Sequence, residues 1–146
     1  MERNTELLMG IRRIVKLYEN MLREVCGKYG LTSIEVNIIS FLYNNPGKDT
    51  AGDIVELRML SKGNVSQAVE GLIQKKMIRR RQDTDDRRRI HLSLRPEAQP
   101  VIHDIEAIRD KFHERVFRGF SDDERLQYAR FNDRIIANTQ FDNEQE

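Results

Sequence analysis

The amino-acid sequence predicts a mainly α-helical fold with one small β-hairpin, an α+β arrangement within a single continuous protomer. Two long stretches carry apolar residues at helical spacing, from Leu7 to Val25 and from Val101 to Phe117. Between them, shorter helical patterns are followed by an alternation of apolar and polar residues, which is typical of strands. We therefore expect helices at both ends of the chain and a hairpin in its middle.

The charge of the chain is unevenly distributed. Of the 146 residues 34% are charged, and the net charge is +1. Residues 61–95 nevertheless hold ten Lys and Arg against four Asp and Glu, a local excess of +6. Such a basic segment in a neutral to acidic frame indicates a polyanion site, although a solvated basic face would give the same count.

Membrane and secreted classes are not expected. No stretch approaches the roughly 18 apolar residues of a membrane-spanning helix, and no signal peptide is recognisable. One cysteine cannot form an internal disulfide or a Cys-rich zinc site. We therefore expect a cytoplasmic protein with no membrane partner.

Cap signals divide the first part of the chain into three helices. The long first helix ends near Gly30, and either Thr32 or Ser33 can cap a second helix. Either Asp49 or Thr50 can cap a short third helix.

A fourth helix is predicted over residues 62–76, with two different faces. Val65, Ala68 and Leu72 lie on its apolar face, and the opposite face carries mostly short polar side chains. That polar face could approach another surface closely.

A hairpin is predicted next, with strands over 77–82 and 87–94 joined by the turn-forming residues 83–86. The predicted elements follow one another as a short helix, a turn, a polar-faced helix and a basic hairpin. This is the order of a winged helix-turn-helix, in which a helix enters the DNA major groove. The sequence therefore predicts a partner of double-stranded DNA.

The fourth helix supplies the candidate base readers. Asn and Gln side chains can form bidentate hydrogen bonds with adenine, so Asn64 and Gln67 are predicted to read base edges. Lys62 and Ser66 are predicted to contact phosphate or sugar, and Ser61, the predicted cap, completes the set at the helix start.

The hairpin supplies the candidate minor-groove residues. Arg87, Arg88 and Arg89 follow the turn, where long cations can reach a narrow minor groove, and residues 79–81 are available for the DNA backbone. Asp86 can hold a guanidinium by a bidentate hydrogen bond, or it can serve only to form the turn. Both roles remain open.

These residues resemble the MarR family of bacterial and archaeal regulators over nearly the whole chain. The motifs are Leu60-Ser61-x-x-x-Val65-Ser66, then Leu72 followed by residues 75–80, then Asp83-x-x-Asp86-Arg87-Arg88 with Leu94. The resemblance implies a homodimeric DNA binder, usually a repressor whose affinity is altered by a small ligand or by oxidation. It also implies that Arg88 and Arg87 enter the minor groove and that Asp86 orients them.

Two positions depart from the family pattern. Lys76 stands where many members have glycine before the wing, and residues 95–100 replace the usual Thr-led start of the fifth helix. Neither departure removes a predicted DNA contact.

The two long apolar stripes are larger than one small winged domain can cover. We therefore expect residues 1–30 and 98–146 to form a helical dimerisation region, and residues 31–97 to form the DNA-binding lobe. A twofold homodimer would set two recognition helices about 34 Å apart on a palindromic operator.

Regulation is less clearly encoded. The resemblance implies an effector pocket, for which the candidates are Tyr18, Met21, Phe41, Tyr43 and Met59, although such residues more often belong to the core.

Cys26 offers a redox-responsive alternative, because the neighbouring Arg23 and Lys28 would lower its pKa if they point at it. A bystander thiol is the simpler interpretation.

No enzymatic, metal or cofactor site is expected. His103 and His113 lack the i, i+4 spacing of a helical zinc pair, and His91 is expected to contact phosphate or solvent. No catalytic triad or phosphate-binding glycine loop is present. The remaining alternative is a winged-helix protein-interaction module that does not read bases.

Overall fold

The computed structural model describes residues 2–58 and 60–140, with side chains from residue 6 onward. Its elements confirm a mainly helical chain with one small hairpin. In chain order they are α1 (Glu2–Tyr29), α2 (Ser33–Asn44), α3 (Ala51–Arg58), α4 (Lys62–Gln74), β1 (Ile78–Gln82), β2 (Ile90–Leu94), a 3-10 turn (Pro96–Ala98), α5 (Gln99–Val116) and α6 (Asp122–Asn138).

Capping hydrogen bonds set the helix starts. Thr32 Oγ1 accepts from the backbone N–H of Glu35, whose carboxylate accepts from the N–H of Thr32 at 2.8 Å. Thr50 and Asp53 form the same reciprocal pair at the start of α3. Of the alternatives that the sequence leaves open, the structure selects Thr32 and Thr50.

The end of α4 differs from the prediction. The helix ends at Gln74 rather than at residue 76, because Lys75 is its C-cap and Lys76 has a φ of +62°. This left-handed backbone favours glycine, and a lysine adopts it at a cost in conformational energy.

The hairpin is antiparallel, and its wide turn shortens the predicted second strand. Ile78 pairs with Leu94 and Gln82 pairs with Ile90. Residues 83–89 form a turn, which we call the wing turn, so β2 starts at Ile90 rather than at residue 87. Ile78 and Leu92 are buried, and they anchor the hairpin, which we call the wing, to the helical core.

The chain divides into two compact units, residues 1–112 and residues 113–146. The first unit holds the core, in which α2, α3, α4, the wing and the first part of α5 bury apolar side chains. The most buried members are Val36, Ile38, Ile39, Ile54, Val65, Leu72, Ile78 and Val101. In the second unit the ring of Phe117 meets those of Phe120 and Tyr128 edge to face.

Two helices leave large apolar side chains exposed on the single chain. On α1 these are Leu7, Leu8, Met9, Ile11, Ile14 and Val15, and on α6 they are Leu126, Tyr128, Phe131, Ile135 and Ile136. No residue of α6 is buried. Within the part of the chain that the structure describes, no helix has an apolar stretch long enough to cross a membrane.

Candidate nucleic-acid interface

The fourth helix divides into a buried and an exposed face, as its apolar spacing predicts. Val65 and Leu72 are fully buried, and Ala68 and Val69 are 7% exposed. Five exposed polar residues lie at the start of the helix, and we call them together the polar face of α4: Ser61, Lys62, Asn64, Ser66 and Gln67. Ser61 Oγ accepts from the N–H of Asn64 at 3.2 Å, so the cap holds the first turn.

A buried ion pair, which the sequence analysis did not find, holds α4 against α2. The side chain of Glu35 is 3% exposed, and its Oε1 lies 2.7 Å from Nζ of Lys75. Lys75 Nζ also donates to the backbone oxygen of Gly30 at 2.9 Å. A Cβ at Gly71 would clash with Glu35 Oε2, so the absence of a side chain at Gly71 permits this close approach.

An open groove of about 480 Å³ runs between the start of α2 and α4. Asn64 and Gln67 line it together with Thr32 and Ile34. The two predicted base readers therefore lie side by side on one concave, exposed surface.

Aspartate side chains shape the wing turn. Asp83 Oδ1 accepts from the N–H of Asp85 at 2.8 Å and from that of Asp86 at 3.1 Å. Asp86 Oδ1 in turn accepts from the N–H of Arg88 at 3.0 Å. Both carboxylates thus satisfy backbone donors of the turn, in the manner of Asx turns.

Of the two roles left open for Asp86, this structure shows the turn-forming one. Its carboxylate binds the backbone of Arg88, and among the described residues it forms no ion pair with an arginine. Orientation of an arginine by Asp86 stays a prediction. The availability of Arg80 is also reduced, because its guanidinium pairs with Glu70 of α4 at 2.7 Å.

The three arginines of the wing turn are exposed. The side chain of Gln82 donates to the backbone oxygen of Arg87 at 2.9 Å, and the N–H of Asp83 donates to that of Arg89 at the same distance. The backbone that carries Arg87, Arg88 and Arg89 is therefore fixed while their side chains are exposed to solvent.

His91 does not have the exposed position predicted for it. Its Nδ1 lies 2.7 Å from Oδ1 of Asp49 and its Nε2 lies 2.7 Å from Oδ2 of Asp83, and its side chain is 18% exposed. The hydrogen bonds to Asp49 and Asp83 raise the pKa of His91 above its ordinary value. The bond from His91, with two backbone N–H donors, lowers the pKa of Asp83.

The predicted effector-pocket residues Tyr18, Met21, Phe41 and Tyr43 do not line either of the two cavities described for this chain. Phe41 is 2% exposed beneath the guanidinium of Arg58, and Tyr18 packs edge to face on Phe112 at 5.0 Å between ring centres. Met21 packs against the core, whereas Tyr43 is 46% exposed. Met59 lies outside the described residues. The groove above and a smaller cavity of about 130 Å³ between α1 and α5 are lined by other residues.

Cys26 does not have the environment of an activated thiol. It is half-buried, and this burial raises its pKa, with a further contribution from the charge of Glu35. Lys28, one of the two cations expected to activate the thiol, instead binds Asp104 at 2.8 Å. In residues 2–58 and 60–140 no group of three or more His, Cys, Asp or Glu side chains could hold a metal ion.

Comparison with known proteins agrees with this geometry. The MarR family model matches residues 29–89, which run from the end of α1 through the wing turn. An uncharacterized helix-turn-helix transcriptional regulator of Bacillus subtilis, YsmB, is 22% identical over 124 residues, which cover 85% of this chain and 84% of that protein.

Solved structures share the fold. A MarR-family transcriptional regulator from Silicibacter pomeroyi superposes with a TM-score of 0.78 at 23% identity, covering 91% of this chain and 89% of that one. The DNA complex of S. aureus MepR superposes with a TM-score of 0.73 at 19% identity, covering 88% and 94% of the two chains.

Proposed function

We propose that this chain is a homodimeric repressor of a palindromic DNA operator and a member of the MarR family of transcriptional regulators, whose family model matches its residues 29–89. One observation carries this proposal above the others. The polar face of α4 and the arginines of the wing turn are exposed in the same compact unit, within the basic segment of the chain. The S. aureus MepR complex with DNA, which has the same fold, supports a DNA partner.

Within this proposal the two elements divide the work. Asn64 and Gln67 read base edges in the major groove, because amides form bidentate hydrogen bonds with adenine. Ser61, Lys62 and Ser66 contact phosphate or sugar at the start of α4. The side chains of Arg87, Arg88 and Arg89 enter the adjacent minor groove, where a narrow groove has an enhanced negative potential. Asp86 assists by fixing the backbone of the turn.

A second copy of the chain would cover the exposed apolar residues of α1 and α6. Leu7 is 54% exposed and Phe131 is 55% exposed, values that favour burial against a partner surface. We propose that residues 1–30 and 98–146 form the dimerisation region and residues 31–97 the DNA-binding lobe. Twofold symmetry then presents two recognition helices to two half-sites of one operator.

We also propose that a small-molecule effector modulates the affinity for DNA, as the family resemblance implies. Lys28 and Asp104 line the cavity between α1 and α5, whereas Tyr18, Met21 and Phe41 pack with core residues. An effector that reaches these three would have to displace core contacts. Redox control through Cys26 is the weaker candidate, because a raised pKa disfavours the reactive thiolate.

Selection of bound duplexes from a random pool tests the proposal. We expect enrichment of a palindrome with half-sites about one helical turn apart. Binding of the enriched duplex should then weaken steeply with salt, because each phosphate contact releases a counterion. An unenriched pool together with no salt-dependent binding would contradict the proposal and would favour a protein-interaction module.

A further inference from the structure

We propose that His91 is a positioning residue whose two hydrogen bonds connect the wing turn to the start of α3, a connection that we call the tie. The tie holds Arg87, Arg88 and Arg89 at a fixed position relative to α4. The role of the tie in DNA binding rests on the proposed function above. The tie itself is a property of the DNA-free chain.

The imidazole ring of His91 bridges two segments that are distant in sequence. Asp49, which precedes α3, lies 42 residues from His91, and its Oδ1 is 2.7 Å from Nδ1. Asp83, the first residue of the wing turn, is 2.7 Å from Nε2. The two carboxylates approach opposite sides of the ring, so the three side chains do not converge on a point where a metal could sit.

On the helix side, the bridge continues into the backbone. The N–H of Leu92, the residue after His91, donates to the backbone oxygen of Asp49 at 2.7 Å. Thr50 follows Asp49 and begins α3 through its reciprocal pair with Asp53. Because α3 packs on α4, a wing held at Asp49 is held relative to the polar face of α4.

On the wing side, the bridge continues to the arginines. Asp83 uses Oδ2 for His91 and Oδ1 for the N–H groups of Asp85 and Asp86. Asp86 then accepts from the N–H of Arg88. A continuous set of hydrogen bonds therefore runs from the start of α3 to the backbone of Arg88.

The bridge requires a protonated imidazole. Ionised carboxylates only accept hydrogen bonds, so both ring nitrogens must carry a proton for His91 to donate to Asp49 and Asp83 together. A neutral ring has one N–H and faces the second carboxylate with a lone pair. Loss of the proton therefore removes one of the two bonds and weakens the tie.

Other charged groups also face this site. Arg81 is the cross-strand partner of His91, and Lys48 and Arg89 flank the two bonded segments. These cations oppose protonation, whereas Asp49 and Asp83 favour it, and their hydrogen bonds leave the pKa of His91 raised. The carboxylate of Asp53, on α3, interacts with the charges of Lys48 and Arg89.

The direction of the pH effect follows from the raised pKa. A group whose pKa is higher in the folded state than in the unfolded chain contributes fully below the unfolded value, which is 6.5 for histidine. Its contribution is lost as the pH rises through the folded value. The tie is therefore complete at mildly acidic pH and weakens toward alkaline pH.

Hydrogen exchange in the DNA-free protein tests the tie directly. We measure protection factors, corrected for the intrinsic pH dependence of exchange, for the amides of Asp85, Asp86 and Arg88 between pH 6 and pH 9. In the wild type they should fall as the pH rises. In His91→Gln the protection factors should be low at every pH. They should also not change with pH, because a glutamine side chain does not titrate. His103→Gln is the matched control, because the side chain of His103 is 86% exposed on α5, and it should behave as the wild type.

The same three proteins are then titrated with the selected operator duplex. His91→Gln should bind about tenfold more weakly at pH 6.5, the effect of losing one charge-assisted hydrogen bond, and should lose the pH dependence of affinity that the wild type shows. Should His91→Gln not fold, NMR titration of the His91 ring in the wild type serves instead, with an expected midpoint above 6.5.

The outcomes separate the two proposals. Equal protection profiles in the wild type and His91→Gln, or a midpoint at or below 6.5, overturn the tie whether or not DNA binds. A tie that is seen in free protein but has no effect on DNA affinity overturns its role in holding the arginines. A wild type that shows the tie and binds no duplex at any pH contradicts the proposed function alone.

Discussion

Oε1 of Glu35 lies 2.7 Å from Nζ of Lys75, and this ion pair joins the first turn of α2 to the C-cap of α4. The carboxylate is almost fully buried and also accepts from the N–H of Thr32, so it has little freedom to move. The backbone of Gly71 lies against it. The orientation of the polar face of α4 therefore depends on a buried charge on another helix.

Gly71→Ala should destabilise the protein by about 1–3 kcal/mol, because the added Cβ overlaps a carboxylate that two hydrogen bonds hold in place. Urea denaturation measures this change. Gly63→Ala on the same helix is the control, since a Cβ there meets nothing within 4 Å. It should raise stability by up to about 1 kcal/mol through helix propensity. Equal effects at the two positions would refute the close approach at Gly71.

Arg88→Ala should weaken binding to the operator by about 1–3 kcal/mol and should reduce the slope of log K against log salt by about one. The removed cation lies on the exposed wing turn, whose backbone the aspartates keep in place. Fluorescence anisotropy over a salt series measures both quantities. Arg118→Ala, outside the winged lobe, should leave both unchanged, and a matching loss there would argue against a specific role for Arg88.

Asn64→Ala and Gln67→Ala should each relax base preference at particular operator positions, by about 1–3 kcal/mol against the wrong base. Lys62→Ala should instead weaken all sequences about equally, because a phosphate contact carries no sequence information. Affinities for a panel of single-base operator variants separate the two patterns. Uniform weakening by the Asn64 and Gln67 variants would mean that they do not read bases.

Ile11→Lys should shift the proposed homodimer toward monomer at micromolar concentration. Ile11 is 46% exposed on the single chain, and a charge placed there would be buried without a partner in the dimer. Sedimentation velocity measures the distribution. Arg12→Lys, the adjacent exposed position, should leave the dimer intact, and a monomeric wild type would remove the basis of the dimer proposal.

Asp104→Asn should lower stability at neutral pH, with a difference that narrows in acid. Lys28 Nζ and Tyr29 Oη both bind the Asp104 carboxylate, and they lower its pKa from 3.8 to about 2. The stabilisation is present above 3.8 and is lost as the pH falls through the folded value. Thermal unfolding of both proteins between pH 2 and pH 7 provides the comparison. If the difference in stability between the two proteins does not change with pH, the effect of the substitution comes from packing alone.

Local features of the sequence were sufficient to predict the order of the elements and the buried and exposed faces of α4. The buried position of Val65 and the exposure of Gln67 follow from helical periodicity, and Ser61 acts as the predicted cap. The exposure of the wing-turn arginines is likewise predicted by strand alternation and by the turn-forming residues. Each of these patterns extends over a few residues, so a single chain segment is sufficient to predict the local structure.

The sequence by itself determined the helices, the hairpin, the basic segment and the family resemblance, because periodicity, caps and charge are local properties. Only the tertiary structure decided the partners of buried charges. His91 forms a hydrogen bond with Asp49, from which it is separated by 42 positions in the sequence, and Lys75 forms one with Glu35 at a separation of 40. The role of Asp86 also depended on which donor lay nearest in the folded turn. Such pairings arise when separate elements pack, and the spacing of residues along the chain does not record which side chains that packing brings together.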